Sequence, residues 1–300
     1  MNLLNALEGE GWSIQQAVQT TYSFDPRFYS SYARPRLSKR NCDLPVVFID
    51  GGKYEKGITE PGWREAPIGT DYVLEPVNTS GVFHPKVNLF ASERSVFFSV
   101  SSANLSLEEY CKAAQIGQMS GFQKNWFTGD EEDLEGEFEE AYFLVREVRD
   151  FFEELVGREG LVTGQDAVDY TEELVETLDW LDEIEGEVGM SPEERSTVFL
   201  SSLSDSILSQ VLERVGDVET ARLYAPFYGS PNVLRKIADI LDPDRLELIV
   251  EPESTALETA ELEDVLDHDY SVRVMEHDSS RWVHAKFMLL EGDWGSACLY

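Results

Sequence analysis

Two copies of the tripeptide His-x-Lys, 200 residues apart, are the residues of this chain best suited to chemistry. They are His84-Pro85-Lys86 and His284-Ala285-Lys286, in a chain with only four histidines. Because side chains two apart on a strand point to the same side of a sheet, each histidine and its lysine can reach one ligand. An imidazole can attack phosphorus or protonate a leaving oxygen, and an ammonium group can neutralise phosphate oxygens. The two copies therefore predict one active site for a phosphodiester.

A polar turn follows the first motif. Ser102 and Asn104 lie 18 and 20 residues after His84, just beyond a predicted strand at 96–100. The Asn104 amide and a Ser102 hydroxyl or backbone N–H are predicted to donate hydrogen bonds to the non-bridging phosphate oxygens. An ordinary turn is the alternative interpretation of these two residues. Nearby, Ser106-x-x-Glu109 predicts a capping box that opens a helix.

The elements predicted around the two motifs follow the same order in both halves of the chain. In the first half they are an apolar stretch at 20–24, a helix led by Pro26, a buried strand at 45–50, a Gly- and Pro-rich excursion at 51–69, and strands at 82–90 and 96–100. In the second half they are an apolar stretch ending near 227, a helix at 231–241, a strand at 246–250, an acidic excursion and the approach to His284.

This repeat predicts a duplicated α/β fold. Asp50 precedes His84 by 34 residues, and Glu251 precedes His284 by 33. An internal repeat of this length indicates duplication, and the alternation of strands and helices favours an α/β architecture. We expect two pseudo-symmetric α-β-α halves with mixed sheets flanked by helices, and an active site at their interface.

Three segments are predicted: a first half at 1–122, an acidic helical linker or insertion at 123–195, and a second half at 196–300. Within the linker, apolar residues recur at helical spacing and predict helices packed on the core. They are Leu134, Phe138, Ala141, Val145, Val148, Phe152 and Leu155, followed by Leu174, Leu178 and Leu181. Ser191-Pro192-Glu193-Glu194 then predicts a capped helical turn.

The second half has no counterpart of the Ser/Asn turn within these residues. Segment 296–300 aligns with 96–100, so the matching turn would lie just past Tyr300. The expectation is that the second half is truncated before its turn and that the chain continues beyond its C-terminus.

The charge of the chain is strongly acidic. It has 58 Asp and Glu against 24 Lys and Arg, a formal net charge of -34 and a pI near 4.3. Such a charge normally repels nucleic acid and anionic membranes. Because the acid is spread along the chain and lysine is scarce, we interpret the protein as halophilic, in which case the charge says little about its substrate. The alternative is a mesophilic protein with an acidic partner-binding face.

Cysteine use and hydropathy predict a cytoplasmic location. Cys42, Cys111 and Cys298 are an odd number without metal-ligand spacing, and the N-terminus has no basic, apolar signal segment. No apolar run is long enough for a transmembrane segment. The residues also form no familiar metal motif, so we expect neither metal nor cofactor.

Duplicated His-x-Lys followed by Ser-x-Asn resembles the signature of the phospholipase D superfamily, and the resemblance covers most of the chain. Members of that family use a metal-independent, covalent phosphohistidine mechanism on phospholipids, on nucleic-acid ends and in some restriction nucleases. The resemblance assigns the site to six residues of this chain, which are His84, Lys86, Ser102, Asn104, His284 and Lys286.

One departure from the lipase-type pattern is similar to the tyrosyl-DNA phosphodiesterase branch. The lipase-type aspartate, five residues after each lysine, is replaced here by Ala91 and Glu291. The tyrosyl-DNA phosphodiesterase branch also lacks it, and carries Asn and Gln at the spacings of Asn104 and Gln115. Gln115 is therefore a predicted substrate-binding residue, with helix capping as its alternative role. The resemblance implies a phosphodiesterase that acts on nucleic-acid phosphodiesters or DNA-end adducts, as in DNA repair.

Several alternatives stay open. The same residues could serve a phospholipid hydrolase or phosphatidyltransferase, which should have an apolar entrance. A non-catalytic phospholipase-D-like binding module of a larger protein would keep the fold without a complete second motif. Within the enzyme hypothesis, His84 is assigned as nucleophile and His284 as general acid, and the two roles could be exchanged. The remaining histidines, His268 and His277, are expected at the surface.

A basic and aromatic cluster near the N-terminus has two interpretations. It consists of Arg27, Arg34, Arg36, Lys39 and Arg40, interleaved with Phe28, Tyr29 and Tyr32. Cations and aromatics together suit single-stranded nucleic acid. We favour the alternative, an amphipathic helix whose aromatics lie in the core and whose charges lie in solvent.

Overall fold

The structure is a computed structural model and describes residues 13–111, 113, 115–128, 137–226, 228, 231–251, 270–274 and 283–300. The predictions for Leu134, His268 and His277 and for most of the acidic excursion lie outside these residues. The chain divides into two compact units, one formed by Met1–Tyr110 with Gly117–Phe199 and the other by Cys111–Ile116 with Leu200–Tyr300.

The first unit contains one mixed sheet. Its strands are β1 (Gln16–Thr21), β2 (Val46–Asp50), β3 (Val73–Val77), β4 (Val87–Ala91), β5 (Ser95–Ser101) and β6 (Gly117–Gln123). They lie in the order β3-β2-β1-β4-β5-β6. The pairs β1–β2 and β2–β3 are parallel, whereas β1–β4, β4–β5 and β5–β6 are antiparallel.

Helices cover both faces of this sheet. The helical stretch α1 consists of an α turn (Pro26–Phe28), a π turn (Tyr29–Ala33) and a further α turn (Arg34–Ser38). The others are α2 (Gly51–Gly57), α3 (Pro61–Arg64), α4 (Leu107–Cys111), α5 (Lys124–Thr128), α6 (Glu137–Gly157), α7 (Gln165–Thr177) and α8 (Trp180–Glu183), with single 3-10 turns at Glu185–Glu187 and Pro192–Glu194.

The predicted apolar stripes of the acidic segment lie against the sheet. Helix α6 contacts β4, β5 and β6, and helix α7 contacts β1 and β2. The described stripe residues are buried apart from Phe138, which is half-buried, and the buried ones are Ala141, Val145, Val148, Phe152, Leu155, Leu174, Leu178 and Leu181. Charges on the opposite faces of these helices point to solvent, as amphipathic spacing requires. The predicted cap at Ser191 also forms, but it opens a single 3-10 turn.

The basic and aromatic cluster forms the amphipathic helix α1. Phe28 and Tyr29 lie in the core, whereas Tyr32 remains 42% exposed. Arg34 does not face a ligand, because its guanidinium donates to the backbone carbonyls of Asp71, Cys42 and Asp43. The favoured interpretation of the cluster is therefore confirmed for Phe28 and Tyr29, and Arg34 joins two loops.

The second unit contains a smaller mixed sheet. Its strands are β7 (Thr220–Tyr224), β8 (Arg245–Val250), β9 (Tyr270–Val274), β10 (Phe287–Gly292) and β11 (Gly295–Leu299), and its helices are α9 (Ile207–Leu212) and α10 (Pro231–Leu241). The strand order is β11-β10-β7-β8-β9. One sheet face packs on these helices through Leu223, Leu246, Leu248 and Leu290.

The two sheets repeat one topology with the same register. Ala91 pairs with Val96 in the first sheet, and Glu291 pairs with Ser296 in the second. In both sheets the central strand has a parallel neighbour on one side and an antiparallel one on the other. The predicted alignment of 296–300 with 96–100 is confirmed, and the α/β class with two mixed sheets flanked by helices is confirmed as well.

Strand β4 begins later than predicted. The sequence indicated a strand from residue 82, but residues 82–86 are extended without regular pairing and β4 starts at Val87. Pro85 has no N–H to donate. At Val87, the Thr20 hydroxyl takes the place of a backbone partner, accepting from the N–H at 2.8 Å and donating to the carbonyl at 3.3 Å. The first motif therefore lies at the end of the sheet, directly before β4 begins.

The excursion at 51–69 is more ordered than its Gly and Pro content indicated. It forms α2 and α3, and the chain then returns as strand β3, which the sequence did not reveal. Trp63 is buried and occupies the place that a side chain at Gly57 would need, so a glycine is required there. Among the described residues, no helix is both long and apolar enough to cross a membrane.

A buried carboxylate joins three strands of the second sheet. Glu247 is inaccessible to solvent, and its oxygens lie 2.7 Å from Arg222 Nε and 2.7 Å from Arg273 Nη2. Arg245 lies 3.3 Å from the same carboxylate. Burial raises the pKa of Glu247, but the arginine hydrogen bonds and charges outweigh it, so the net pKa is lowered. This ion pair replaces the apolar contact that the same register makes between Val18 and Val46 in the first sheet.

We expect Glu247→Gln to lower the free energy of unfolding by about 2–4 kcal/mol at neutral pH. Removing one partner of a buried ion pair costs roughly 3–5 kcal/mol, less here because the arginines reach water. Since the folded pKa is depressed, the stabilisation exists above the unfolded pKa and is lost as pH falls through the folded pKa. Denaturant unfolding curves of the variant and the wild type should differ at neutral pH and converge in acid. The exposed Glu213→Gln is the control, and an equal effect there would contradict the assignment.

Candidate active site

The His84 and Lys86 side chains contact each other directly before strand β4, at one end of the first sheet. The Lys86 ammonium lies 3.0 Å from His84 Nδ1 and 3.4 Å from Nε2, and it also donates to the His84 carbonyl at 3.2 Å. His84 is exposed, whereas Lys86 is only 5% exposed. A charged ammonium so deeply buried needs polar partners, and the imidazole supplies one. The pair thus places a solvent-exposed imidazole against a buried lysine side chain.

The backbone of Lys86 is fixed by the neighbouring strand. Its carbonyl accepts from Ser101 N at 3.1 Å, which extends the β4–β5 ladder one residue beyond Val87. Ser101 is the last residue of β5, so the Ser/Asn turn starts directly beside the lysine. The sequence predicted this proximity from spacing alone, and the strand register provides it.

A polar network lies one layer below Lys86 on the same sheet face. The Tyr29 hydroxyl donates to Gln19 Oε1, Gln19 Nε2 donates to Asn88 Oδ1, and Asn88 Nδ2 donates to Ser99 Oγ, at 2.6, 2.7 and 3.0 Å. All four side chains are buried. Burial raises the pKa of Tyr29 well above its usual value, so its hydroxyl remains a donor. Because all of its members are hydrogen-bonded, this network makes the sheet rigid next to Lys86.

An aromatic side chain contacts His84, and a cationic side chain contacts that aromatic ring. The Tyr22 ring centroid lies 4.5 Å from that of His84 at 41°, and the Lys53 ammonium lies 4.5 Å from the Tyr22 centroid. Tyr22 follows the end of β1, and Lys53 lies in α2. Neither was singled out in the sequence, because neither belongs to a motif.

Asn104 is a structural link as well as a candidate site residue. It is 4% exposed, and its Oδ1 accepts from the backbone N–H groups of Tyr22 and Ser23, both at 3.1 Å. Its Nδ2 donates to Glu109 Oε1 at 2.5 Å. An amide nitrogen carries two hydrogens, and the bond to Glu109 uses one of them. The side chain thereby joins the loop after β1 to the turn after β5.

The predicted capping box at Ser106 forms only in part. Glu109 N donates to Ser106 Oγ at 3.4 Å, as the motif requires. The Glu109 carboxylate instead reaches back to Asn104, where Oε2 accepts from the backbone N–H at 2.7 Å. The same carboxylate therefore accepts from both the backbone N–H and the side-chain amide of Asn104. The sequence pattern identified Glu109 as a cap, but only the tertiary structure shows that it orients a candidate site residue.

The other residues predicted around the first motif lie nearby in the chain. Ser102 is half-buried in the turn that leaves β5, where the adjacent Ser101 hydroxyl accepts from Ala103 N at 3.3 Å. Gln115 is half-buried in the short segment Cys111–Ile116, which clusters with the second unit. Their substrate-binding roles stay predictions.

The second motif lies at the start of β10, as the first lies at the start of β4. His284 and Lys286 are half-buried, and Ala285 between them is 6% exposed. The adjacent Phe287 stacks on Tyr224, with ring centroids 5.3 Å apart at 24°. The duplicated position of the motif relative to its strand is the structural counterpart of the sequence repeat.

No protein-family model and no curated protein matches this chain. Solved structures do match. Polyphosphate kinase from Porphyromonas gingivalis is 13% identical, with a TM-score of 0.46 over 99% of this chain and 42% of the kinase. Yeast tyrosyl-DNA phosphodiesterase is 12% identical, with a TM-score of 0.49 over 97% of this chain and 75% of that protein. NucT from Helicobacter pylori is 13% identical, with a TM-score of 0.30 over 58% of this chain and 87% of NucT.

All three matched proteins are members of the phospholipase D superfamily. This chain is similar to them in fold, at 13% identity or less. The chain spans less than half of the length of the kinase. At these identities the likeness concerns the fold, so the activity has to be argued from the residues of this chain.

We expect Asn104→Asp to be strongly destabilising and Glu109→Gln to rescue it. The single change sets a second carboxylate against Glu109, which should cost roughly 2–3 kcal/mol at neutral pH and less in acid, where one carboxyl becomes protonated. In the double variant, the introduced glutamine can donate to the introduced aspartate and still accept from the backbone N–H. A double-mutant cycle on thermal unfolding measures the coupling, and strictly additive effects would contradict the contact.

Proposed function

We propose that this chain is a metal-independent phosphodiesterase that acts through a covalent phosphohistidine, on nucleic-acid phosphodiesters or DNA-end adducts. The observation that carries the proposal is the exposed His84 imidazole with the Lys86 ammonium 3.0 Å from its ring. His284 and Lys286 repeat the pair at the equivalent position of the second unit. An imidazole can serve as the nucleophile that attacks phosphorus, and an ammonium group can neutralise the negative charge on the phosphate oxygens.

The reaction would proceed in two balanced steps. A ring nitrogen of His84 attacks phosphorus, the bond from phosphorus to the leaving oxygen breaks, and His284 gives that oxygen its proton. Water then attacks the phosphohistidine while His284 accepts a proton from it, and the phosphorus–nitrogen bond breaks to free His84. The second step resembles the first step run in reverse, so the residue that acts as general acid in the first step acts as general base in the second.

Lys86 would exchange partners when substrate binds. At rest its ammonium lies within hydrogen-bonding distance of both ring nitrogens of His84 and engages a lone pair that a nucleophile needs. A phosphate oxygen is a stronger acceptor for an ammonium group than a neutral imidazole is. Substrate binding would therefore move the cation to the non-bridging oxygen and release the lone pair for attack.

Three residues are proposed to bind the phosphate or its neighbours. Asn104 would donate its second amide N–H, already oriented by the bond to Glu109. Ser102 follows Ser101, whose N–H pairs with the Lys86 carbonyl. Gln115 keeps the role that the motif resemblance implies.

The surroundings of His84 favour nucleic acid as the substrate. Tyr22 places an aromatic ring beside the histidine, and Lys53 places an ammonium group beside that ring. Aromatic stacking and cation contacts are the usual means of binding single-stranded nucleic acid. The net charge of -34 would oppose such binding in dilute buffer, so we propose a halophilic, cytoplasmic enzyme whose repulsion is screened at high salt.

His84→Ala should abolish hydrolysis of the preferred substrate, with a loss of at least ~10³-fold, because no nucleophile remains. The substrates to compare are a 3'-tyrosyl oligonucleotide, plain single-stranded DNA and a phosphatidyl lipid, each in high salt with EDTA. Acid-quenched protein incubated with phosphorus-labelled substrate should carry the label on His84. His277→Gln is the matched control and should keep wild-type activity.

The outcomes separate the hypotheses. Turnover of the lipid alone would support the phospholipid hydrolase, and binding without turnover would support the non-catalytic module. Activity abolished by EDTA, or label on neither His84 nor His284, would sink the phosphohistidine mechanism.

Lys86→Met should lower kcat by roughly 10²–10³-fold while changing KM less, because the ammonium acts mainly on the charge that develops in the transition state. Lys236→Met, on α10, is the matched control for loss of a lysine. Steady-state kinetics on the substrate identified above decide the question. A larger change in KM than in kcat would assign Lys86 to ground-state binding alone.

A further inference from the structure

The residue directly before each motif histidine is tied to the end of another strand of its sheet by one side-chain hydrogen bond. Phe83 N donates to Asp50 Oδ2 at 3.0 Å. The Val283 carbonyl accepts from the Tyr224 hydroxyl at 3.0 Å. Asp50 is the last residue of β2 and Tyr224 the last of β7. The two bonds hold the same residue position in the two copies, through the N–H of Phe83 in one and the carbonyl of Val283 in the other.

Asp50 uses its two oxygens for two different purposes. Oδ1 accepts from Lys53 N at 3.0 Å and caps the start of α2. Oδ2 accepts from Phe83 N, 33 residues further along the chain. The side chain is 8% exposed, so neither bond competes fully with water. A cap alone needs only one oxygen, so the second bond has a purpose other than capping.

The bond to Phe83 restrains a segment that lies outside the regular elements. Residues 78–86 form no helix or strand. The carbonyl of Lys86 is bonded to Ser101, and the N–H of Phe83 is bonded to Asp50. The backbone of His84 therefore lies between two anchors, three residues apart. Its imidazole is exposed, and its direction depends on this backbone together with the contacts to Lys86 and Tyr22.

Tyr224 restrains the second motif in a similar way. Its ring is 1% exposed and stacks on Phe287, which follows the motif, while its hydroxyl bonds Val283, which precedes it. Burial, with the nearby charge of Glu251, raises the pKa of Tyr224 to about 12. The hydroxyl therefore stays a donor throughout the ordinary pH range, and one side chain contacts both ends of the motif.

We propose that Asp50 and Tyr224 are positioning residues for phosphoryl transfer, each fixing the backbone beside a reacting histidine. The proposal rests on the proposed function of His84 and His284. Near-attack geometry tolerates little error, and a displacement of about 1 Å can cost roughly 100-fold in rate. Losing either tether should therefore lower kcat more than it raises KM.

Asp50→Asn tests the first tether by changing one atom. Asparagine caps a helix about as well as aspartate, so Oδ1 can still serve Lys53, but the new amide nitrogen cannot accept from Phe83. We expect kcat to fall roughly 10- to 100-fold with KM nearly unchanged. Asp25→Asn is the matched control, because Asp25 caps α1 through Oδ1 alone and holds no motif segment. It should keep wild-type kinetics.

Tyr224→Phe tests the second tether, with Tyr228→Phe as its control. The Tyr228 hydroxyl lies 2.6 Å from the carbonyls of both Leu223 and Ile249, and can donate its one hydrogen to either, away from the motif. Both variants lose a buried hydroxyl, so both should be less stable. Only Tyr224→Phe should lower kcat, by roughly 10-fold or more. Assays well below each thermal midpoint separate positioning from stability.

Amide hydrogen exchange reports on the first tether without any activity. Phe83 should exchange faster in Asp50→Asn than in Asp25→Asn. If Asp50→Asn does not fold, Asp50→Ser, which also caps a helix, gives the same comparison. Unchanged kcat in both tether variants, together with an inactive His84→Ala, would overturn the positioning roles and leave the proposed function intact. Full activity of His84→Ala would overturn both.

Discussion

The contact between the Lys86 ammonium and the His84 ring is the interaction on which the site depends, and strand register makes it. Lys86 extends the ladder between β4 and β5, so its side chain is held on the sheet face above the buried network that ends at Ser99. A lysine that is 5% exposed retains its charge only with polar partners around it. The fold therefore keeps a cation at a fixed place beneath an exposed imidazole.

The polar groups around this contact bond to one another before any substrate arrives. Asn104 accepts from two N–H groups after β1 and donates to Glu109. In the proposed reaction, such fixed donors and acceptors would not have to reorganise, and this preorganisation is the main source of electrostatic catalysis in enzymes. The same bonds hold the loops after β1 and β5 together, so stability and site geometry depend on one set of residues.

The two units share the same strand order and register, but different side chains stabilise them. Equivalent strand positions hold Val18 beside Val46 in one sheet and Arg222 beside Glu247 in the other. The segments before the two histidines are likewise tethered by Asp50 and by Tyr224. Backbone hydrogen bonds fix the register of a strand, and many side-chain combinations then satisfy it.

The sequence by itself determined the duplication, the α/β class, the amphipathic helices of the acidic segment and the identity of the His-x-Lys pairs, because these follow from spacing and hydrophobic periodicity. It did not reveal strand β3, the late start of β4, the tethers from Asp50 and Tyr224, or the second task of Glu109. Each of these depends on hydrogen bonds between residues far apart in the chain, such as Phe83 with Asp50. No local pattern encodes such a bond, because its partners are chosen only when the strands come together.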